Sequence, residues 1–120
     1  MTDIIEVTTK EQFRRVAELA KVIWTEHYTA IIGSEQVSYM LDKFQSAAAI
    51  EKQVKQNCQY YLLVNDEIDA GYFCHYPKGG NLFLSKLYVL KTLRGHGIGK
   101  IGLKAIEETA ISKGYEQIEL

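Results

Sequence analysis

The segment Arg94-Gly95-His96-Gly97-Ile98-Gly99-Lys100 holds the residues whose types and spacing suit chemistry best. Glycine at alternate positions removes Cβ atoms, so main-chain N–H groups can come close to a ligand. A helix that begins in such a turn adds orphan N–H groups and the positive end of its dipole, which suits an anion. The charge order agrees. Lys100 and Lys104 fall in the first turns of the following helix, and Glu107 and Glu108 come later. That order opposes the dipole preference by about 0.3–1 kcal/mol per charge near the N-terminus, and a bound polyanion would reverse the sign. Between residues 70 and 106 there is no Asp or Glu, while Lys78, Lys86, Lys91, Arg94, Lys100 and Lys104 give +6 within a net charge of −1. Segregated charge of this kind concentrates an anionic ligand. Without a ligand, the same features make a chain-reversing turn on a solvated basic face.

Two familiar phosphate loops do not fit. The pattern G-x-x-x-x-G-K-[ST] finds Arg94 in its first glycine position and Ile101 in place of the magnesium-holding hydroxyl. The run Gly97-Ile98-Gly99-Lys100-Ile101-Gly102 matches G-x-G-x-x-G, with Glu119 at a plausible later distance. A dinucleotide turn, however, follows its strand immediately. Here residues 91–96 intervene, and an antiparallel meander precedes the turn.

The elements that must position this turn can be read outward from it. A chain of 120 residues, 47% hydrophobic and 24% charged, describes one domain over residues 1–120 and excludes disorder. No apolar run reaches the ~18 residues of a membrane span, and the first ten residues lack a signal-peptide pattern. No membrane role is expected. Cys58 and Cys74 form no CxxC pair, which points to a reduced, cytoplasmic setting.

Residues 3–8 alternate weakly and read as a strand. Thr9 with Gln12 predicts a capping box, and Phe13, Val16, Ala17, Leu19, Ala20, Ile23 and Trp24 repeat at helical spacing. That helix is expected to end near Trp24, with residues 27–33 as a turn. Ser34 is expected to cap a second helix through Phe44, and Ser46 a third to about Gln56. From Gln59 the period becomes that of strands: 60–64, a turn at Asn65-Asp66-Glu67, 68–76, a loop at Pro77-Lys78-Gly79-Gly80-Asn81, and 82–90. A basic loop 91–96, a helix 97–113 stopped by Gly114 and a strand 115–120 complete the chain. The last connection is long enough for a right-handed crossover, making that strand parallel to its predecessor. The expected class is α/β (α+β), a mixed, mostly antiparallel sheet flanked by helices.

Read from Arg94, the turn fits [RQ]-x-x-G-x-[GA], and on it the sequence resembles the GNAT superfamily of N-acetyltransferases. The preceding Leu84-Ser85-Lys86-Leu87-Tyr88-Val89 looks like that family's splayed fourth strand. The order of elements is similar throughout residues 3–120. Ile23-Trp24-Thr25-Glu26-His27-Tyr28, with the helix from Ser34, looks like the region lining the acceptor side.

The resemblance implies direct transfer of an acetyl group from acetyl-CoA to a primary amine of a small molecule, polyamine or protein. Main-chain N–H groups of Gly95, His96, Gly97, Ile98, Gly99 and Lys100 would cradle the pyrophosphate, and Arg94 and Lys100 would add charge. Leu87, Tyr88 and Val89 would pair with the pantetheine arm as an added strand does and stabilise the oxyanion. Trp24 and Tyr28 would line the acceptor. An amine of pKa ~10 needs a base, for which many relatives place a glutamate on the fourth strand. Alternation here puts Phe83, Ser85, Leu87 and Val89 on one face and Leu82, Leu84, Lys86 and Tyr88 on the other, with no carboxylate on either. The catalytic residue is therefore unassigned. Ser85 (through a water), Glu26, His27 and His75 are the candidates. No metal is expected, and basic residues without interleaved aromatics do not favour nucleic acid.

Related domains continue with a further helix and two strands beyond the strand at which this sequence stops. The expectation is a domain incomplete on its C-terminal side, with an open sheet edge favouring a homo-oligomer. The competing function is a catalytically incomplete CoA-binding or regulatory module.

Overall fold

The computed structural model describes residues 1–120. Thr2–Glu6 forms β1, Lys10–Ile32 α1, Ser34–Phe44 α2 and Ala47–Lys55 α3. Gln59–Asn65, Ile68–Lys78 and Asn81–Val89 are β2, β3 and β4, followed by α4 at Ile98–Ser112 and β5 at Ile118–Glu119. One sheet runs in the order β1-β2-β3-β4-β5. Every neighbouring pair is antiparallel except β4 and β5, which are parallel, as the crossover through α4 requires.

Strand alternation divides the core into two layers. Tyr60, Leu62, Val64, Tyr72 and Cys74 face α1, α2 and α3, where they meet Phe13, Val16, Ala20, Ile23 and Ile50. Leu63, Ala70, Phe73, Leu82 and Leu84 face α4, meeting Ile98, Ile106 and Ala110. Capping starts α1 as expected. The Thr9 hydroxyl accepts from the Gln12 N–H at 3.2 Å, and the Gln12 side chain accepts from the Thr9 N–H at 3.0 Å. Ser46 likewise accepts from Ala49 N–H at 3.1 Å and starts α3.

Three local expectations are overturned. First, α1 does not stop at Trp24; residues 27–32 continue it, and Gly33 at φ +87° ends it. Tyr28 lies one turn beyond Trp24 and extends the same inward stripe, so packing favours continuing the helix. Ser34 is therefore the first residue of α2, with no side-chain cap. Second, Pro77 lies inside β3, opposite Leu82. Gln59 at the start of β2 pairs with His75, so no β2 residue lies opposite Pro77 to require its missing N–H. The turn is confined to Gly79 and Gly80, both at positive φ.

The third concerns β4. Cys74 pairs with Lys86 but His75 pairs with Leu84, so Ser85 is an extra, unpaired residue. One inserted residue reverses which side chains face which layer. Leu82 and Leu84 before the bulge and Leu87 and Val89 after it pack on the α4 side, while Tyr88 packs toward α1. Simple alternation would have placed Leu87 and Val89 with Phe83, opposite Leu84.

Candidate active site

β4 ends at Val89, and a 3₁₀ turn at Lys91–Leu93 leads into the glycine segment. Gly95 and Gly97 have φ of +86° and +79°, values L side chains rarely adopt. Gly97 is the N-cap of α4 and has no side chain with which to cap it. The first donor of the helix is Ile101, whose N–H reaches the Gly97 carbonyl at 3.1 Å. The N–H groups of Gly95, His96, Gly97, Ile98, Gly99 and Lys100 donate to no carbonyl of the main chain. Gly95, Gly97, Ile98, Gly99 and Lys100 line a cavity of about 340 Å³ between this turn and Val89. Lys91, Arg94 and Lys100 take part in none of the ion pairs of the chain. Converging free donors and unpaired cations make this a concave anion site.

The cavity continues along the free edge of β4. The Leu90 N–H donates to the Ala70 carbonyl at 2.8 Å. Antiparallel alternation then gives the bonded pairs Tyr72–Tyr88 and Cys74–Lys86 and turns the main-chain groups of Leu87 and Val89 outward. β5 pairs with β4 at Leu82 and Phe83, and on that side Leu87 and Val89 pair with no strand. Arg94 Nε donates to the Val89 carbonyl at 3.2 Å, the first contact made by this outward row. A second cavity, also about 340 Å³, lies between His27 of α1 and Leu87, Tyr88 and Val89. A smaller one of about 110 Å³ is bounded by Glu26, His27, Lys91 and Arg94. All three share Arg94.

The floor beside this groove is aromatic. Tyr28 and Tyr88 hydroxyls meet at 3.3 Å, and Trp24 packs edge-on to both rings, at 5.4 and 6.0 Å between centroids. Trp24 is only 6% exposed, and its indole N–H donates to the Tyr72 hydroxyl at 3.1 Å. It therefore supports the wall rather than lining it, a correction that follows from the longer α1. Tyr72 donates to Gln45 at 2.7 Å, and Gln45 donates to the Tyr60 hydroxyl at 3.1 Å. Burial raises the pKa of the Tyr60, Tyr72 and Tyr88 phenols, and the Tyr28 hydroxyl contact adds to the shift at Tyr88. All three stay neutral and serve as rigid packing. This polar chain under the groove was not legible in the sequence, because Gln45 carries no periodic or motif signal.

The candidate bases are scattered. Glu26 and His27 stand at the glycine-turn end of the groove, against Lys91 and Arg94. Ser85 is exposed on the bulge, where its hydroxyl accepts from Lys86 Nζ at 3.2 Å. His75 lies on the opposite side of the sheet, fully buried beside Tyr61 and Phe73. Burial, reinforced by Lys113, lowers its pKa to about 4, and neither ring nitrogen has a hydrogen-bond partner. It is neutral and separated from the groove by the sheet itself. No three His, Cys, Asp or Glu side chains are placed to hold a metal, and no helix is long and apolar enough to cross a membrane.

The sequence profile of the Acetyltransferase (GNAT) family matches residues 16–120, which include the groove from Glu26 to Lys100. The chain belongs to the GNAT acetyltransferase family. That membership makes it an acyltransferase. No curated protein matches it significantly in sequence. Among solved structures, the PaiA N-acetyltransferase of Thermoplasma acidophilum in complex with coenzyme A is similar at a TM-score of 0.84 and 18% identity, over 96% of this chain and 75% of that one. A GNAT-family acetyltransferase from Staphylococcus aureus Mu50 gives 0.74 at 20% identity, over 98% and 72% of the two chains. AAC(6')-Iy, in complex with the bisubstrate analogue CoA-S-monomethyl-acetylneamine, gives 0.67 at 17% identity, over 98% and 77%. At these identities the structures establish a shared fold. In this GNAT chain, the cavity at the glycine turn and the cavity along β4 share Val89, Arg94 and Gly99.

Proposed function

We propose that this GNAT chain transfers an acetyl group from acetyl-CoA to a primary amine. The observation that carries the reading is the groove running from the unpartnered N–H groups of the glycine turn onto the open main-chain edge of β4. A pyrophosphate fits the first part. Gly95 and Gly97 have nothing within 4 Å of where a Cβ would lie, so that part of the cradle is unobstructed. Each charge-assisted hydrogen bond made there contributes about 1.5–3 kcal/mol.

An extended amide-bearing arm fits the second part, pairing with Leu87 and Val89 as an added strand. Arg94 would then give up or share the Val89 carbonyl and turn its charge to the phosphates. Acetyl-CoA supplies the acyl group as an activated thioester. The protein's task is to align that group along β4 and admit an amine from the α1 side, past the Tyr28–Tyr88 wall. Small amines, polyamines and protein amines remain the acceptor classes. The likeness to PaiA and AAC(6')-Iy supports an amine acceptor through the shared fold. The reading also includes a reduced, cytoplasmic setting, supported by the free thiols of Cys58 and Cys74, and a homo-oligomer through an open sheet edge, which sedimentation would test.

Calorimetric titration with acetyl-CoA, followed by thiol release over a panel of a polyamine, an aromatic amine, an aminoglycoside and a lysine-containing peptide, tests the proposal. Saturable binding with release on at least one amine is expected. No binding would refute the reading. Binding without release on any amine would favour a CoA-binding or regulatory module instead.

A further inference from the structure

The continuation of α1 through residues 27–32 decides what the helix presents to the groove. Ile23 and Trp24 are buried in the layer between the sheet and α1. His27 follows them by four and three residues, which puts it at the edge of the same stripe, and it stays exposed. Its ring meets Tyr28 edge-on at 4.6 Å between centroids, and the Tyr28 hydroxyl meets that of Tyr88 at 3.3 Å. Two cavities meet at His27. One, of about 340 Å³, runs along Leu87, Tyr88 and Val89; the other, of about 110 Å³, is closed by Glu26, Lys91 and Arg94.

We propose that His27 is the base that takes the proton of the acceptor amine, a reading that rests on the function proposed above. In that reading, acyl arm and amine meet in the cavity along β4, which three proton-carrying side chains line: His27, Tyr88 and Arg94. A guanidinium such as that of Arg94 does not give up its proton in proteins. Burial, with the Tyr28 hydroxyl contact, raises the pKa of Tyr88, which therefore holds its proton. An imidazole is the side chain that exchanges a proton most readily near neutrality, and His27 supplies the only one in this cavity. It takes part in no ion pair. The other candidates lie outside the cavity. Glu26 lines only the smaller one, Ser85 is bonded to Lys86 on the bulge, and His75 is buried across the sheet.

The step balances as follows. The amine attacks in its neutral form. One of its N–H protons passes to the neutral His27 imidazole, directly or through one water, as the nitrogen lone pair forms the C–N bond to the acetyl carbon. The C–S bond breaks and its electron pair leaves with sulfur. The thiolate then takes up one proton as the imidazolium releases one, which restores neutral His27 and leaves amide and thiol.

The test is His27→Gln, assayed with whichever panel amine the wild type turns over fastest. Loss of a positioned base is expected to lower kcat by about 10²–10⁴-fold. The KM for the amine, the affinity for acetyl-CoA and the melting temperature should stay near wild type. The pH profile is a readout that a packing role would not move. Wild-type kcat should fall tenfold per pH unit on its acid limb as the base takes up a proton, and His27→Gln should lack that limb. The titratable and charged groups facing His27 are Glu26 and Tyr28 of α1, Tyr88 of β4, and Lys91 and Arg94 beyond it. Glu26→Gln should keep the acid limb. A further readout does not depend on turnover. Among the three imidazoles of the chain, labelled with ¹⁵N, the one missing from His27→Gln identifies His27. Its resonances should shift when the amine is added to the complex with coenzyme A. Turnover by His27→Gln within threefold of wild type, an acid limb that persists in it, or an imidazole that ignores the amine overturns the assignment. An acid limb that disappears in Glu26→Gln overturns it as well, and so does binding of acetyl-CoA by the wild type with no turnover of any amine. No binding at all refutes the functional reading first. If His27→Gln does not fold, His27→Asn decides by the same measurements.

Discussion

Replacing Gly99 with alanine separates the ligand cradle from the backbone that supports it. Gly99 lies in the first turn of α4 at an ordinary φ, and a Cβ there would meet only Val89 Cγ2, at 3.8 Å. That is normal van der Waals contact. Glycine costs a helix about 0.5–1 kcal/mol relative to alanine, so Gly99→Ala should raise stability by up to that amount. The same methyl group would enter the groove that Gly99 and Val89 line together. Pushing a phosphate or the pantetheine arm off one charged or polar contact costs about 1.5–3 kcal/mol, equivalent to about 10- to 150-fold in Kd. Gly97→Ala should behave differently. Nothing lies within 4 Å of its Cβ position, but its φ is +79°, which costs an alanine about 1–2 kcal/mol. The two variants should therefore move stability in opposite directions while both weaken acetyl-CoA binding. Urea unfolding measures the first effect and calorimetry with acetyl-CoA the second. A Gly99→Ala protein that gains stability and binds acetyl-CoA within twofold of wild type would refute the placement of the ligand on this turn.

Three further outcomes follow from individual side chains. His75 has a folded pKa of about 4 against 6.5, so the unfolded chain binds the extra proton as pH falls between those values. Native stability should drop by about 1.4 kcal/mol per unit there, or ~3 kcal/mol across the window, with no contribution above it. His75→Phe should remove that slope, and unchanged slopes in urea unfolding at pH 7 and 4.5 would contradict the buried neutral imidazole. A Cβ at Gly71 would overlap the Tyr88 carbonyl oxygen, so Gly71→Ala should destabilise by ~1–3 kcal/mol through local separation of β3 and β4. An unshifted melting temperature would show that the strands are not so close. Arg94→Gln removes an unpaired cation from all three cavities. It should weaken acetyl-CoA binding by about tenfold and flatten its salt dependence; equal salt slopes would place Arg94 away from the phosphates.

The features legible in the sequence are those set by neighbours a few residues apart. The Thr9–Gln12 capping box, the strand periods after Gln59 and the glycine turn at the start of α4 all depend on short-range spacing. The turn was readable because positive φ demands a particular residue type, and glycine supplies it at both Gly95 and Gly97. The crossover through α4 was readable because its length and handedness leave few alternatives. The family resemblance rested on that same local pattern, and the match over residues 16–120 agrees with it.

What the tertiary structure decided depends on partners distant in sequence. Residues 27–32 are helical because Tyr28 finds Tyr88, sixty residues later, and that continuation draws Trp24 into the core. The bulge at Ser85 arises from the β3–β4 register, and no property of Ser85 announces it. It alone sends Leu87 and Val89 toward α4 and breaks the alternation read along β4. Sequence by itself determined that a strand, a glycine turn and a helix meet. Which side chains share a face with that junction was settled by pairing and packing, because a one-residue change in register costs little locally and reverses every side chain beyond it.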